Sequence, residues 1–64
     1  MKADERRKAI ANLLTTEQKA VSGAALSAEF GVSRQIIVQD ITALRSSGYD
    51  IISTHNGYLI QKTP

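Results

Sequence analysis

The residues VSRQIIVQDI, numbers 32–41, fit two different secondary structures. Three consecutive β-branched residues, Ile36, Ile37 and Val38, are typical of a strand. A half-buried strand, however, alternates apolar and polar residues, and neither this run nor the nearby Asp40 follows that alternation. The strand interpretation therefore explains the composition of the stretch but leaves its order unexplained.

A helix explains the order of the same residues. Ile37, Ile41 and Leu44 are spaced four and three residues apart, which places them on one face of a helix and predicts that they belong to the core. Ser33 before them is a favourable N-cap, and Gly48 after them is a favourable end. The stretch is therefore predicted to be a helix with a second, polar face.

Two further helices are predicted ahead of this one. Apolar residues at helical spacing indicate the first over residues 4–15. The second, GAALSAEF, has Ser22 as its N-cap and Gly31 at its left-handed C-terminal position, and Ala20 and Val21 before it are candidates for a very short strand. The residues that we expect these two helices to contribute to the core are Ile10, Leu13, Leu14, Leu26 and Phe30.

The C-terminal residues have the pattern of a β-hairpin. Two β-rich segments flank Asn56 and Gly57, a pair that favours a two-residue loop with a type I′ turn. Such a loop pairs His55 with Tyr58, Ser53 with Ile60, and Ile51 with Lys62. Both faces carry apolar residues, and we expect the face of Ile51, Tyr58 and Ile60 to point inward.

The composition indicates one small domain, residues 1–64. The chain is 42% hydrophobic and has no cysteine, which excludes disulfides and thiolate metal sites. No apolar stretch approaches the roughly 20 residues of a membrane helix, and no signal peptide is recognisable, so we expect a cytoplasmic protein. The net charge of +2 is compatible with nucleic-acid binding. No nucleophile–base pair, phosphate-binding loop or metal-ligand spacing indicates an enzyme.

The second and third predicted helices, separated by the turn Gly-Val-Ser, have the dimensions of a helix-turn-helix. In that motif the later helix inserts its N-terminal half into the major groove of DNA. A helical wheel for residues about 33–47 places Gln35, Gln39 and Thr42 opposite the core face, with Val38 beside them. Glutamine can form a paired hydrogen bond to adenine, and valine and threonine methyl groups can contact the thymine methyl. These four residues are therefore candidates for base recognition.

Other polar residues are suited to the DNA backbone. Arg34 in the first turn is placed to reach a guanine or a phosphate. The free N–H groups at helix N-termini favour phosphate near Ser33, and near Ser22 and Gly23. The hairpin, residues 51–61, then corresponds to a wing. Its candidate contacts are His55 and Asn56 at the tip and Lys62 near the base, and Arg6 and Arg7 are further candidates for phosphate.

These assignments have plainer structural alternatives. Exposed glutamines are common on helices, so the residues alone leave base contact by Gln35 and Gln39 open. Ile36 and Val38 flank the polar face, and we expect Ile36 to pack against the second helix and Val38 to contact DNA. Asp40 in the groove would repel DNA, but the wheel places it nearer the core, where we expect a basic partner.

The whole chain resembles the winged helix-turn-helix domain that opens many bacterial regulators, including the biotin-operon repressors. The resemblance rests on SGAALSAEFGVSR (22–34), DITALRSSGYDI (40–51) and GYLI (57–60). VSRQIIVQDI together with NGYLI is also similar, more specifically, to the niacin-responsive transcriptional repressors. The resemblance implies an α+β fold of three helices followed by a β-hairpin wing, and double-stranded operator DNA as the partner. It favours a groove-facing Gln35.

In that family a second half, the 3H domain, binds nicotinic acid and a divalent metal and carries the dimer contact. It controls binding to operators of niacin-uptake or NAD-synthesis genes. The resemblance therefore implies no cofactor or metal within these 64 residues, and a homodimer for the full-length protein. The expected function is a sequence-specific DNA-binding domain of a bacterial transcriptional repressor. The alternative is a winged-helix domain that contacts another protein, because this fold serves both purposes.

Overall fold

The computed structural model describes residues 1–61 and contains three helices followed by an antiparallel two-stranded hairpin. The elements are α1 (Ala3–Glu17), α2 (Gly23–Phe30), α3 (Arg34–Ser46), β1 (Ile51–Thr54) and β2 (Gly57–Ile60). The predicted winged helix-turn-helix fold is confirmed, and the VSRQIIVQDI stretch is helical. Within the described residues, no helix has both the length and the apolar character needed to cross a membrane.

The helix-turn-helix is bounded by the caps that the sequence predicts. Ser22 Oγ accepts a hydrogen bond from the N–H of Ala25 at 3.0 Å, which caps α2. Ser33 Oγ accepts one from the N–H of Ile36 at 3.2 Å, which caps α3. Between the two helices Gly31 has a φ of 65°, a left-handed conformation that glycine adopts without steric cost. Local interactions therefore set both helix starts and the turn between them.

The core lies between the three helices and the inner face of the hairpin. Its fully buried apolar residues are Ile10, Ala11, Leu14, Leu26, Ile37, Ile41, Leu44 and Ile51. Leu13 and Phe30 are partly buried and pack against its edge. The predicted apolar face of α3 is thus confirmed, and Tyr58 and Ile60 pack against the core on the same side of the hairpin as Ile51, as expected.

The predicted register of the hairpin is wrong by one loop position. Ile51 pairs with Ile60 and Ser53 with Tyr58, so the loop consists of His55 and Asn56. A type I′ turn requires positive φ at both loop residues, and neither His55 nor Asn56 has it. The pairing of Ile51 with Lys62 is likewise wrong, and Lys62 itself lies outside the described residues.

A third, single-residue strand accounts for this register. Val21 and Tyr58 exchange two backbone hydrogen bonds, of 2.9 and 2.8 Å, so β2 lies between β1 and Val21. Gly57, with a φ of 132°, approaches the Val21 backbone so closely that a Cβ would lie 2.4 Å from the Val21 carbonyl carbon and oxygen. Gly57 is therefore needed at the start of β2 rather than in the loop. Of the two expected strand residues, Ala20 and Val21, only Val21 forms a bridge.

A buried carboxylate joins α1 to α3. Asp40 is fully buried and accepts hydrogen bonds at Oδ1 from Arg6 Nη2 at 2.9 Å and from Arg7 Nε at 3.0 Å, while Arg6 Nε donates to Oδ2. The expected basic partner of Asp40 is thus confirmed and identified. Arg6 and Arg7 direct their guanidinium groups into the fold, and the Arg6 side chain is only 14% exposed. Arg6 is therefore not a free surface cation, whereas Arg7, at 35% exposed, is only partly covered.

Ionised Asp40 is expected to make the chain less stable in acid. Burial raises the pKa of Asp40, but the hydrogen bonds from Arg6 and Arg7 outweigh it and lower the pKa below its usual value. A lowered folded-state pKa contributes stability above the unfolded value of about 3.9, and this stability is lost as the pH falls through the folded pKa. Below about pH 4 the melting temperature should therefore fall more steeply than that of Asp40→Asn. Thermal unfolding followed by circular dichroism checks this, and parallel pH profiles would contradict it.

Candidate nucleic-acid interface

The outward face of α3 carries the residues predicted to read bases. Gln35, Gln39 and Thr42 are all exposed, on the side of the helix opposite the buried stripe. Val38 beside them is 50% exposed, whereas Ile36 is partly buried. The hydroxyl of Thr42 donates to the carbonyl of Val38 at 3.0 Å, so it can still accept a hydrogen bond from a ligand. This surface offers amide groups and methyl groups to a partner.

The charges of α3 favour an anionic partner. Asp40 is the only acidic residue between Arg34 and Ser46, and its carboxylate is buried and paired with two arginines. The exposed charged residues of α3 are therefore Arg34 at the first turn and Arg45 at the last. A phosphate backbone approaching this helix meets positive charge at both ends and no exposed carboxylate of α3 between them.

A groove of about 270 Å³ separates α3 from the hairpin. Its walls come from the start of α2, the first half of α3 and the hairpin loop. The lining residues that the sequence singled out are Ser22, Gly23, Arg34, Val38, His55 and Asn56. The other predicted site residues lie outside the groove, Ser33 at the N-cap of α3 and Gln35, Gln39 and Thr42 on its outward face. The structure thus brings two sets of predicted residues onto adjoining surfaces.

Arg34 lies across the first residue of α2. A Cβ built on Gly23 would be 3.6 Å from Arg34 Nε and 3.6 Å from Tyr58 Cε2, so position 23 lies within van der Waals reach of both side chains. Within residues 1–61, neither ion pair involves Arg34. Its guanidinium therefore stands unpaired beside the N-terminus of α2, where the backbone N–H groups point outward. Guanidinium and helix N-terminus together favour an anion.

Two residues near the groove were not predicted from the sequence. Tyr58 lines its floor and also forms the bridge to Val21. Arg45 donates from Nε to the Ile51 carbonyl oxygen at 2.8 Å and from Nη2 to Ser53 Oγ at 2.9 Å. An arginine in the last turn of a helix is ordinarily explained by the helix dipole, so the sequence carried no clear signal for this second role.

His55 occupies the hairpin loop and is exposed, as expected for a turn residue. The part of the chain that the structure describes contains no cluster of three or more His, Cys, Asp or Glu residues that would hold a metal ion. The side chains of this surface offer hydrogen bonding, methyl contact and cationic attraction. Those are the interactions by which proteins bind duplex DNA.

Comparison with known proteins agrees with this geometry. Residues 6–59, from α1 almost to the end of β2, match the model of a protein family described as an HTH domain. The chain is also 52% identical over 56 residues to the "Probable transcription repressor NiaR" of Thermotoga maritima. The matched residues make up 88% of this chain but 32% of that protein, so the chain spans about a third of its relative. The chain belongs to the HTH domain family, as a winged helix-turn-helix domain of the kind found in NiaR-like transcription repressors.

Proposed function

We propose that this chain binds double-stranded operator DNA as the DNA-binding domain of a transcription repressor. One observation carries the proposal: the outward face of α3 carries exposed glutamines, Arg34 lies in the adjoining groove and takes part in neither ion pair of residues 1–61, and the only carboxylate of α3, Asp40, is buried and neutralised. A helix that faced only water would have no need to remove its one acidic residue from the surface. The same arrangement is what a helix in the major groove requires.

Base recognition is assigned to the outward face of α3. Gln35 and Gln39 supply amide groups that match the hydrogen-bonding edge of adenine, and each such pair discriminates between bases by about 1–3 kcal/mol. Val38 and Thr42 supply methyl groups for contact with thymine. The proposal therefore assigns this face to an operator half-site that contains A·T pairs.

Backbone contacts are assigned to the groove and the helix N-termini. Ser22, Gly23 and Ser33 present N–H groups at the starts of α2 and α3, and Arg34 adds its unpaired charge beside Gly23. The remaining backbone contacts are assigned to His55 and Asn56 in the loop of the wing, which line the far side of the groove. These contacts set the orientation of α3 in the major groove but carry no sequence information directly.

The regulatory context of this domain is proposed from its resemblance to the niacin-responsive transcriptional repressors. We propose that the target operators control niacin uptake or NAD synthesis, and that nicotinic acid and a divalent metal bind in a separate 3H domain rather than within these residues. The operator-binding form is then a homodimer on two half-sites about 34–36 Å apart, because a single small helix-turn-helix binds weakly. Such a role places the protein with the bacterial chromosome in the cytoplasm.

Selection from a random duplex pool at low salt tests the function. The purified chain should enrich a half-site with A·T pairs, and Gln35→Ala should lose the preference at one base pair while leaving the rest of the site unchanged. Gln61→Ala is the matched control, since Gln61 is an exposed glutamine outside the groove and away from α3. The control should enrich the unaltered site.

Two results would contradict parts of this assignment. Equal weakening of every sequence by Gln35→Ala would remove its base-reading role. No retention of any duplex would overturn DNA binding and favour the protein-contact alternative. Salt dependence separates the two functions independently. If three or four phosphates are neutralised, the logarithm of the DNA-binding constant should fall with the logarithm of the salt concentration, with a slope of about −3. The affinity of an apolar protein contact would barely change with salt.

A further inference from the structure

The outer edge of β1 is covered by a residue of α3. Asp50 directs its carbonyl oxygen toward β2, where it accepts from the N–H of Gln61 at 2.8 Å. Carbonyl groups alternate in direction along an antiparallel strand, so the carbonyl of Ile51 points to the free edge. Arg45 Nε donates to that oxygen at 2.8 Å, and its Nη2 donates to Ser53 Oγ at 2.9 Å. Arg45 therefore occupies the edge that a further strand would otherwise use.

The wing is consequently held along both of its edges. On one side Val21, just before α2, exchanges two backbone hydrogen bonds with Tyr58 of β2. On the other side Arg45, in the last turn of α3, bonds to two residues of β1. The first attachment fixes the wing to the start of α2. The second attachment, through Arg45, joins the wing to α3, the helix that carries Gln35 and Gln39.

We propose that Arg45 is a positioning residue for DNA recognition, which fixes the orientation of the wing relative to α3. The inference rests on the proposed function. Through Arg45, His55 and Asn56 are held at a set distance from the base-reading face, so that the groove contacts and the wing contacts fit the same duplex. The planar guanidinium is suited to this task, because it directs two N–H groups from different nitrogens at two acceptors on one strand.

A direct phosphate contact by Arg45 is the competing explanation. The two explanations differ in what lysine preserves. Arg45→Lys keeps the positive charge but cannot reproduce the two-nitrogen contact, so a phosphate contact would survive it and the positioning role would not. Ser53→Ala removes one acceptor of Arg45 without changing any charge. Because Ser53 also lines the groove, the positioning role predicts that the effect of Ser53→Ala on DNA binding disappears in the Arg45→Lys background, whereas a direct contact of Ser53 with DNA predicts that it persists.

The experiment measures DNA affinity for Arg45→Lys and Ser53→Ala, on the selected duplex and over a range of salt. We expect Arg45→Lys to weaken binding about fivefold, with an unchanged salt slope, because about 1 kcal/mol of hydrogen bonding to the wing is lost. Ser53→Ala should weaken binding in the same direction by a smaller factor. Ser47→Ala is the matched control. Within residues 1–61 the hydroxyl of Ser47, at the C-cap of α3, donates to the carbonyl of Ala43 and to no wing residue, so this variant should bind as the unaltered chain does.

A double-mutant cycle separates positioning from a general loss of stability. In the unaltered chain, Asn56→Ala should weaken binding through the wing contact. In the Arg45→Lys background the wing is no longer held, so the same change should weaken binding less. An undiminished effect of Asn56→Ala would show that Arg45 does not act through the wing, and would overturn the proposal. The proposal would also be overturned if Arg45→Lys bound DNA with unaltered affinity while Arg45→Ala showed a flatter salt slope. That result would indicate a direct phosphate contact by Arg45.

A measurement without DNA keeps this inference distinct from the proposed function. Backbone ¹⁵N relaxation of the free chain should show lower order parameters for residues 53–57 in Arg45→Lys than in Ser47→Ala. If the unaltered chain binds no duplex, the proposed function fails and this measurement stands alone. If residues 53–57 are then as ordered in Arg45→Lys as in Ser47→Ala, Arg45 does not hold the wing. If they are less ordered, Arg45 holds the wing.

Discussion

Replacing Asp40 by alanine is expected to lower the free energy of unfolding by about 3 kcal/mol, the largest loss we expect from any charged residue of the chain. The change leaves Arg6, whose side chain is 14% exposed, without its partner inside the fold. We place the loss at the lower end for a broken buried pair, because the guanidinium groups of Arg6 and Arg7 can turn toward water once the carboxylate is gone. A chain of this size has a total stability of only about 3–10 kcal/mol, so the variant should be largely unfolded at elevated temperature.

Urea denaturation followed by circular dichroism measures this loss, with Asp50→Ala as the matched control. Asp50 is an exposed aspartate that accepts a hydrogen bond from Gln61 through its backbone carbonyl. Its side chain should therefore contribute about 0.5 kcal/mol or less to the free energy of unfolding. Replacing Arg6 and Asp40 together by apolar residues of similar volume should recover part of the stability, since the pair then no longer has to be desolvated. A stability of Asp40→Ala equal to that of the control would show that the ion pair is dispensable.

Replacing Gly57 by alanine is expected to detach the wing from the start of α2. The new Cβ would lie 2.4 Å from the carbonyl group of Val21 and 2.6 Å from the nitrogen of Ser22, which are backbone atoms that cannot turn aside. The positive φ of 132° adds strain for any residue with a side chain. Strain of about 1–2 kcal/mol and two lost backbone hydrogen bonds of about 1 kcal/mol each give an expected destabilisation of about 3–4 kcal/mol.

Gly31→Ala is the control that separates strain from the collision with Val21. Gly31 also has a positive φ, of 65°, but no atom lies within 4 Å of a Cβ built there. It should therefore cost only about 1–2 kcal/mol, the strain alone. The nuclear Overhauser contact between Val21 and Tyr58 should disappear in Gly57→Ala and persist in Gly31→Ala. Equal stability of the two variants, with that contact intact, would contradict the close approach described here.

The helices of this chain were predictable because the interactions that define them are local. Ser22 and Ser33 each cap the helix that follows by accepting a hydrogen bond from the N–H three residues ahead. The spacing of Ile37, Ile41 and Leu44 indicates the core face without reference to the rest of the chain. The same local pattern predicted which side of α3 faces outward. Six of the predicted site residues line the groove, but four of these come from the start of α2 and from the hairpin loop, so their proximity depends on the tertiary fold.

The features that the sequence did not predict depend on residues far apart in the chain. The hairpin register follows from the bridge between Val21 and Tyr58, and the loop residues alone favoured a different turn. The pair Asn56 and Gly57 predicts a turn that contains the glycine. In the structure Gly57 begins β2, where the close approach of the Val21 backbone leaves no room for a Cβ. The partners of Asp40 lie 34 and 33 residues away, at Arg6 and Arg7, and no local period indicates them.

The ion pair of Asp40 also has a consequence for how the chain unfolds. Arg6 lies in the first turn of α1 and Asp40 in the middle of α3, so the only buried charge of α3 has its partner near the opposite end of the sequence. A fragment with α2 and α3 alone would carry an uncompensated carboxylate where α1 had been. We therefore expect α3 to become ordered only together with α1, because its apolar face and its carboxylate both lack their α1 partners in such a fragment.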